Sequence, residues 1–186
     1  MLLPLGMMSG CGGSGSSVST PDSSEVGGGT ISGRYQVMGT QSEIIRDLVT
    51  GLEWQRCAVG QTWNSGSQTC SGTAAWYDWD TAVTLTAPGG FRLPTKKELR
   101  TLIYCSNTGN FDSNGNDSTC GTWGTYNSPT IDEGAFPNVP SRSWFWSSSP
   151  YAGSTSHARL VYFGYGSVDW SRKDTTYRVR LVRVGQ

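Results

Sequence analysis

The sequence predicts an α+β domain, loop-rich, with two helices and a small antiparallel sheet. Three observations carry this. Two helical patterns with start signals lie near residues 79–86 and 96–104. Short β-patterned runs bounded by turn residues flank them and fill the C-terminal part. Turn residues punctuate the whole chain: Gly numbers 25 of 186 residues, while charged residues make up only 15%. Helices followed by runs of strands, without regular β–α alternation, give α+β and not a parallel sheet. Low charge with eight Trp and eight Tyr fits an extracellular domain better than a cytosolic helical enzyme. The formal net charge of zero provides no global field for nucleic acid, which is not expected as a partner.

Three regions follow in order. Residues 1–10 read as the remnant of a lipoprotein signal. An apolar run ends in Met8-Ser9-Gly10-Cys11, which resembles the junction where a bacterial lipoprotein Cys is lipidated and becomes the mature N-terminus. The run is too short to span a membrane. Residues 11–33 are then the lipidated Cys11 and a flexible Gly/Ser tether. Gly12 and Gly13 follow the Cys, with no Asp, so by resemblance to lipoprotein sorting rules the chain is expected lipid-anchored in the outer membrane, at the cell surface. Residues 34–186 form the folded domain.

Within that domain, residues 34–38, 43–46 and 52–55 read as strands, with a turn over 47–51. Asp78 is placed to cap a helix over 79–86, with Ala82, Val83 and Leu85 apolar, and Pro88-Gly89-Gly90 ends it. Thr95 and Glu98 have capping-box spacing for a helix over 96–104, on which Leu99, Leu102 and Ile103 fall at i, i+3 and i+4. Residues 105–142 read as a long polar loop. Residues 144–148, 159–163, 167–170 and 177–184 read as strands.

The five cysteines are odd in number. With Cys11 set aside, Cys57, Cys70, Cys105 and Cys120 remain and allow three pairings. The local pairs Cys57–Cys70 and Cys105–Cys120 are expected, each stapling a Gly/Ser/Asn-rich loop and contributing roughly 3 kcal/mol in the chain-entropy model. A zinc site is disfavoured, because no CxxC occurs and His157 is the one histidine. The run Asp112 to Asp117 alternates oxygen ligands as calcium loops do, but its sixth position is Asp117, not Gly, and its twelfth is Trp123, not Glu. It reads as a solvated loop; no metal and no cofactor are expected.

The segment 151–177 reads as a binding surface. It holds four Tyr, four Ser and three Gly, the mixture of adaptable paratopes. Val161, Phe163 and Val168 are apolar and frame-like, while Leu160, Tyr162, Ser167 and Asp169 lie between or beside them. Strand alternation would anchor one face to a core and display the other. An ordinary solvent-facing hairpin has the same composition.

Four ordered motifs carry a family resemblance over residues 35–186: Gly51-Leu52-Glu53-Trp54-Gln55, Phe91-Arg92-Leu93-Pro94-Thr95 with Glu98-Leu99, Phe145-Trp146-Ser147-Ser148-Ser149, and Tyr177-Arg178-Val179-Arg180-Leu181-Val182-Arg183. The set resembles the C-terminal domain of the Legionella collagen-like adhesin family. Its Arg-Leu-Pro-Thr element is also similar to that of formylglycine-generating enzymes, which implies a C-type-lectin-like fold. A narrower resemblance, over 151–177, is to the variable proteins of diversity-generating retroelements, whose templates are rich in Asn codons with mutable adenines. No Asn occurs from Ser147 to Val184, against seven elsewhere. Tyr151, Gly153, Ser154, Ser156, His157, Leu160, Tyr162, Gly164, Tyr165, Ser167, Asp169, Ser171, Arg172, Asp174, Thr175, Thr176 and Tyr177 can each arise from AAT or AAC by changing adenines. The resemblance implies that these form a hypervariable ligand-binding face. Ala152, Ala158, Val161, Phe163, Gly166, Val168 and Lys173 match the fixed frame, and Arg159 and Trp170 are assigned to neither set.

Three functions stand beside each other. The first is a surface lipoprotein with a diversified face, a monomeric domain meeting a protein or glycan on another cell or phage. The second is a fixed-specificity adhesin for sulfated glycans, as the adhesin resemblance implies; residues 142–186 hold seven Lys/Arg against two acids, a local net of +5. Against this stands the expectation that Arg178 and Arg180, on one strand face, pair with buried acids. The third is an enzyme on the formylglycine-generating scaffold, disfavoured because all four domain cysteines read as structural. No catalytic residues are expected: Asp132 and Glu133 are adjacent and would point apart, and His157 has no nucleophile near it in sequence.

Overall fold

The computed structural model describes residues 29–108, 110–111, 120–122 and 124–186. Cys11, the tether up to residue 28 and the run from Asp112 to Asp117 lie outside the described residues.

The chain begins as a meander of β1 (Thr30–Ile31), β2 (Tyr35–Met38), β3 (Ile44–Asp47) and β4 (Leu52–Gln55), each antiparallel to the next. The tight turn after β3 is closed by the Gly51 N–H donating to Asp47 O at 2.8 Å, with Gly51 at φ 71°, a conformation that favours glycine. A hairpin of β5 (Thr62–Asn64) and β6 (Thr69–Ser71) follows, its second strand tied by Cys57–Cys70 to the segment that leaves β4. Next come α1 (Trp79–Ala82), β7 (Thr86–Ala87), β8 (Phe91–Arg92), α2 (Lys96–Arg100), β9 (Tyr104–Cys105) and β10 (Asn110–Phe111), the last two braced by Cys105–Cys120. The C-terminal part is β11 (Trp144–Pro150), β12 (His157–Tyr162), β13 (Ser167–Arg172) and β14 (Val182–Val184). The α+β expectation and both disulfide pairs agree with this arrangement.

The sheet is larger than expected. Seven strands run in the order β1-β2-β3-β4-β14-β8-β7, and a separate three-stranded sheet runs β11-β12-β13. Both helices have the expected N-terminal signals. Asp78 accepts from the Thr81 N–H, and Thr95 and Glu98 form a reciprocal capping box. Both end early. After α2, Leu102 N bonds Leu99 O and Ile103 N bonds Arg100 O, tightening the chain, and Tyr104 N then turns away to Thr130 O. The strand expected over 177–184 divides for a similar reason. Tyr177 bridges Tyr77 and Arg178 bridges Phe145, while Val182 pairs with Trp54 and Arg92. One stretch therefore stitches the small sheet to the large one. Nor is 105–142 a uniformly polar loop: Ile131, Ala135, Phe136 and Val139 are buried in the core.

Two apolar clusters result. One joins Tyr35, Ile45, Trp54, Leu99, Leu102, Phe136, Phe145, Val161 and Phe163. The other joins Ala82, Phe91, Leu93, Trp146, Ala158, Leu160, Val179 and Leu181. Buried ion pairs tie the meander together. Arg34 Nε meets Asp47 Oδ1 at 2.8 Å, and Glu53 accepts from Arg46 Nη2 and Arg183 Nε, both at 2.6 Å.

Arg180 corrects an expectation. It is fully buried, yet it meets no acid among the described residues. Its Nη1 donates to Gln55 O and Arg56 O, and its guanidinium lies 4.6 Å from the Phe136 ring centroid. Burial lowers its pKa to about 9. Arg178 likewise meets Ser143 Oγ at 2.7 Å and the Trp76 ring at 4.3 Å, not a carboxylate. The face these side chains enter is lined by rings and carbonyls, so cation–π contact and neutral acceptors replace ion pairing.

Candidate functional site

The nominated segment is built on the three-stranded sheet, and its register defines two faces. Leu160 lies opposite Asp169 and Trp146, and Tyr162 lies opposite Ser167 and Trp144. Because side chains alternate, Trp144, Trp146, Leu160, Tyr162, Ser167, Asp169 and Ser171 share one face. Phe145, Val161 and Val168 share the other, with Phe163 continuing into the same core. The sequence-derived sorting of changeable from frame-like positions on β12 and β13 thus matches the two faces in the inner rows, while Ala158, His157 and Arg172 at the outer end fall on the opposite face from their set.

Exposure does not follow that sorting. Leu160, Tyr162, Gly164 and Ser167 are buried. The expectation that Leu160, Tyr162 and Ser167 are displayed is therefore corrected. A half-buried sheet would expose one face, but here the stretch from Tyr77 to Ala82 and Tyr177 cover the second face too. Trp146 Nε1 donates to Tyr77 O at 2.9 Å, Trp79 Nε1 donates to Ser147 O at 2.8 Å, and Tyr177 sits edge-on to Trp146 at 4.9 Å. A Cβ on Gly164 would overlap the Tyr162 ring, so variation there requires the ring to move. Gly166, assigned to the frame, has φ 72°, and a Cβ there would meet Cys120 Sγ at 2.8 Å.

The rest of the set lies at or near the surface. Gly153, Ser156, Asp169, Arg172, Asp174 and Thr176 are exposed, and Tyr151, Ser154, His157, Tyr165, Ser171, Thr175 and Tyr177 are half-buried. At one end of the first face an aromatic run forms. Trp144 stacks on Tyr162 at 4.3 Å and 23°, and Tyr165 meets Tyr162 edge-on at 4.7 Å. Ser171 Oγ lies 3.1 Å from the Tyr177 hydroxyl. Sequence reasoning did not nominate Trp144; its place two residues before Trp146 on an alternating strand is the signal that was there to read.

Between α1 and the end of β13 lies a polar cavity of about 720 Å³, lined by Asp78, Asp80, Thr81, Thr84, Ser156, Arg172, Lys173 and Asp174. It brings Ser156, Arg172 and Asp174 of the nominated set together. Arg172 and Asp174 pair, and that hydrogen bond holds the Asp174 carboxyl below its usual range. Lys173 Nζ lies 4.2 Å from the Trp79 ring centroid and meets no acid among the described residues. Asp132, weighed as half of a carboxylate pair, accepts the Gly134 and Ala135 N–H groups and so shapes its own turn. Among the described residues no group of three His, Cys, Asp or Glu is placed to hold a metal, and no helix is long and apolar enough to cross a membrane.

The molecule is thus an α+β scaffold, tied by two disulfides, that presents an aromatic and mixed-charge surface from its C-terminal sheet. Residues 43–183 match the model of the Lcl C-terminal domain, and the chain belongs to that family, which marks it as a surface adhesin-like domain. Comparison with curated proteins and with solved structures returned no match.

Proposed function

We propose that this protein is a non-catalytic ligand-binding lipoprotein of a bacterial outer membrane, anchored through Cys11 and displayed at the cell surface. Its domain has a C-type-lectin-like fold, and its segment 151–177 is diversified by a retroelement to vary specificity. The partner is a protein or glycan on another cell or on a phage. One observation carries the reading. On β12 and β13 the Asn-codon residues Leu160, Tyr162, Ser167, Asp169 and Ser171 share one face of the sheet, with His157 and Arg172 at its outer end on the opposite side, while the frame residues Val161, Phe163 and Val168 are buried on that opposite side. Four of the changeable positions are buried, so diversification there would vary packing around Trp144 and Tyr177 as well as contact chemistry. Sequencing the flanking DNA tests this. A reverse-transcriptase gene beside an Asn-rich near-copy of the 151–177 coding segment is expected; a locus with neither refutes diversification.

The second reading, a fixed adhesin for sulfated glycans, is favoured by one observation. Arg159, Lys173 and Arg178 each rest on an aromatic ring and none meets a carboxylate among the described residues. Heparin binding by the full chain, together with a locus lacking a reverse transcriptase, would select it.

A further inference from the structure

We propose that the frame side of the three-stranded sheet carries a second recognition site at its outer end. Tyr151, His157, Arg159 and Trp170 form it, and it takes a protein segment presenting one carboxylate beside an apolar or aromatic side chain. Its two central residues, Arg159 and Trp170, are ones the Asn-codon sorting left unassigned, while Tyr151 and His157 belong to the changeable set.

The geometry begins with two rings. Tyr151 follows β11 and Trp170 lies on β13, yet they stack at 5.0 Å between centroids and 9° between planes, spanning β12. Arg159 rises from β12 directly opposite Trp170, and its guanidinium carbon lies 4.7 Å from the Tyr151 centroid. That ring contact is the one interaction the Arg159 side chain makes among the described residues; no carboxylate, hydroxyl or carbonyl takes any of its guanidinium N–H groups. A planar cation held against a ring, half-buried, keeps its five donors in a preset fork matched to a carboxylate. His157 closes a third side. Its ring meets Trp170 edge-on at 5.0 Å, and its Nδ1 lies 2.9 Å from Ser154 Oγ and 3.0 Å from Ser156 Oγ.

Trp170 is 44% exposed although it is stacked. A ring fixed on one side and open on the other loses little entropy on contact, and Trp, Tyr and Arg are the residues that dominate protein-binding energetics. The site offers one cation, not a cluster of them. Asp174 holds Arg172 by paired bonds, the longer 3.0 Å, which leaves Arg159 as the site's cation without a carboxylate among the described residues. A highly charged polymer crossing this end meets Asp174 beside one cation, whereas a single carboxylate aimed at Arg159 does not. The observations therefore favour an acidic side chain flanked by apolar surface.

The test pans random dodecapeptides displayed on phage against the immobilised full chain. Enriched peptides are then titrated against wild type, Arg159→Gln, Arg159→Lys and Trp170→Ala. Peptides with Asp or Glu next to an aromatic or aliphatic residue are expected. They should bind Arg159→Gln and Trp170→Ala about tenfold more weakly or worse, and Arg159→Lys at an intermediate level because charge persists without the fork. Tm of all three variants should stay near wild type, since Arg159 has no protein acceptor and Trp170 is open to solvent. Peptide binding that ignores Arg159 overturns the proposal, as does a failure to enrich any peptide. Arg159-dependent binding of heparin without peptide binding overturns it in favour of a polyanion.

Discussion

Truncating Leu160 to Ala separates a displayed residue from a packed one. Leu160 is 1% exposed and packs in the cluster of Phe91, Leu93, Trp146, Ala158, Val179 and Leu181. Removing its three outer carbons forfeits transfer energy and leaves a hole that Trp146, held by its indole bond to Tyr77 O, cannot readily fill. Leu→Ala at such sites costs about 2–5 kcal/mol. For a domain of this size each kcal/mol is worth roughly 2–4 °C in Tm. A loss near 3 kcal/mol therefore lowers Tm by about 6–12 °C. The internal control is Asp169→Ala, directly opposite on the same face but exposed, for which the change should stay within about 0.5 kcal/mol. Thermal melts followed by circular dichroism, with urea titration to confirm the free energy, give both numbers. If Leu160→Ala melts as wild type does, Leu160 is a displayed residue and the covering of this face by Tyr77 to Ala82 is refuted.

Two further outcomes are expected. Burial alone would raise the Glu53 carboxyl, but the Arg46 and Arg183 guanidiniums outweigh it and hold it below its ordinary value of 4.5. The folded state then binds fewer protons than the unfolded chain near and below that pH, so the stability this gives is present above it and lost as pH falls. Tm should decline between about pH 5 and pH 3, and less steeply in Glu53→Gln; equal slopes in the two proteins would refute the assignment. Cys11 should take up a fatty-acid analogue in growing bacterial cells, and Cys11→Ser should not; equal labelling would remove the anchor from the proposed function.

The sequence by itself determined what depends on neighbouring residues. The Asp78 cap, the Thr95–Glu98 box and the turn over 47–51 formed where expected, because caps and turns are satisfied within a few residues. The local disulfides followed from parity and loop composition. In the inner rows of β12 and β13, Leu160, Tyr162, Ser167 and Asp169 fell on one face and Val161 and Val168 on the other, because a strand alternates whatever surrounds it, whereas Ala158, His157 and Arg172 broke the sorting. Only the tertiary structure decided whether the second face met water. That depends on Tyr77, Trp79 and Tyr177, which arrive from distant parts of the chain and cover Leu160 and Tyr162. It likewise decided that Arg180 would rest among phenyl rings and carbonyls, and that Tyr151, Arg159 and Trp170 would meet across β12. Such contacts join residues far apart in sequence, and they are set by which elements fold over which, not by any local pattern.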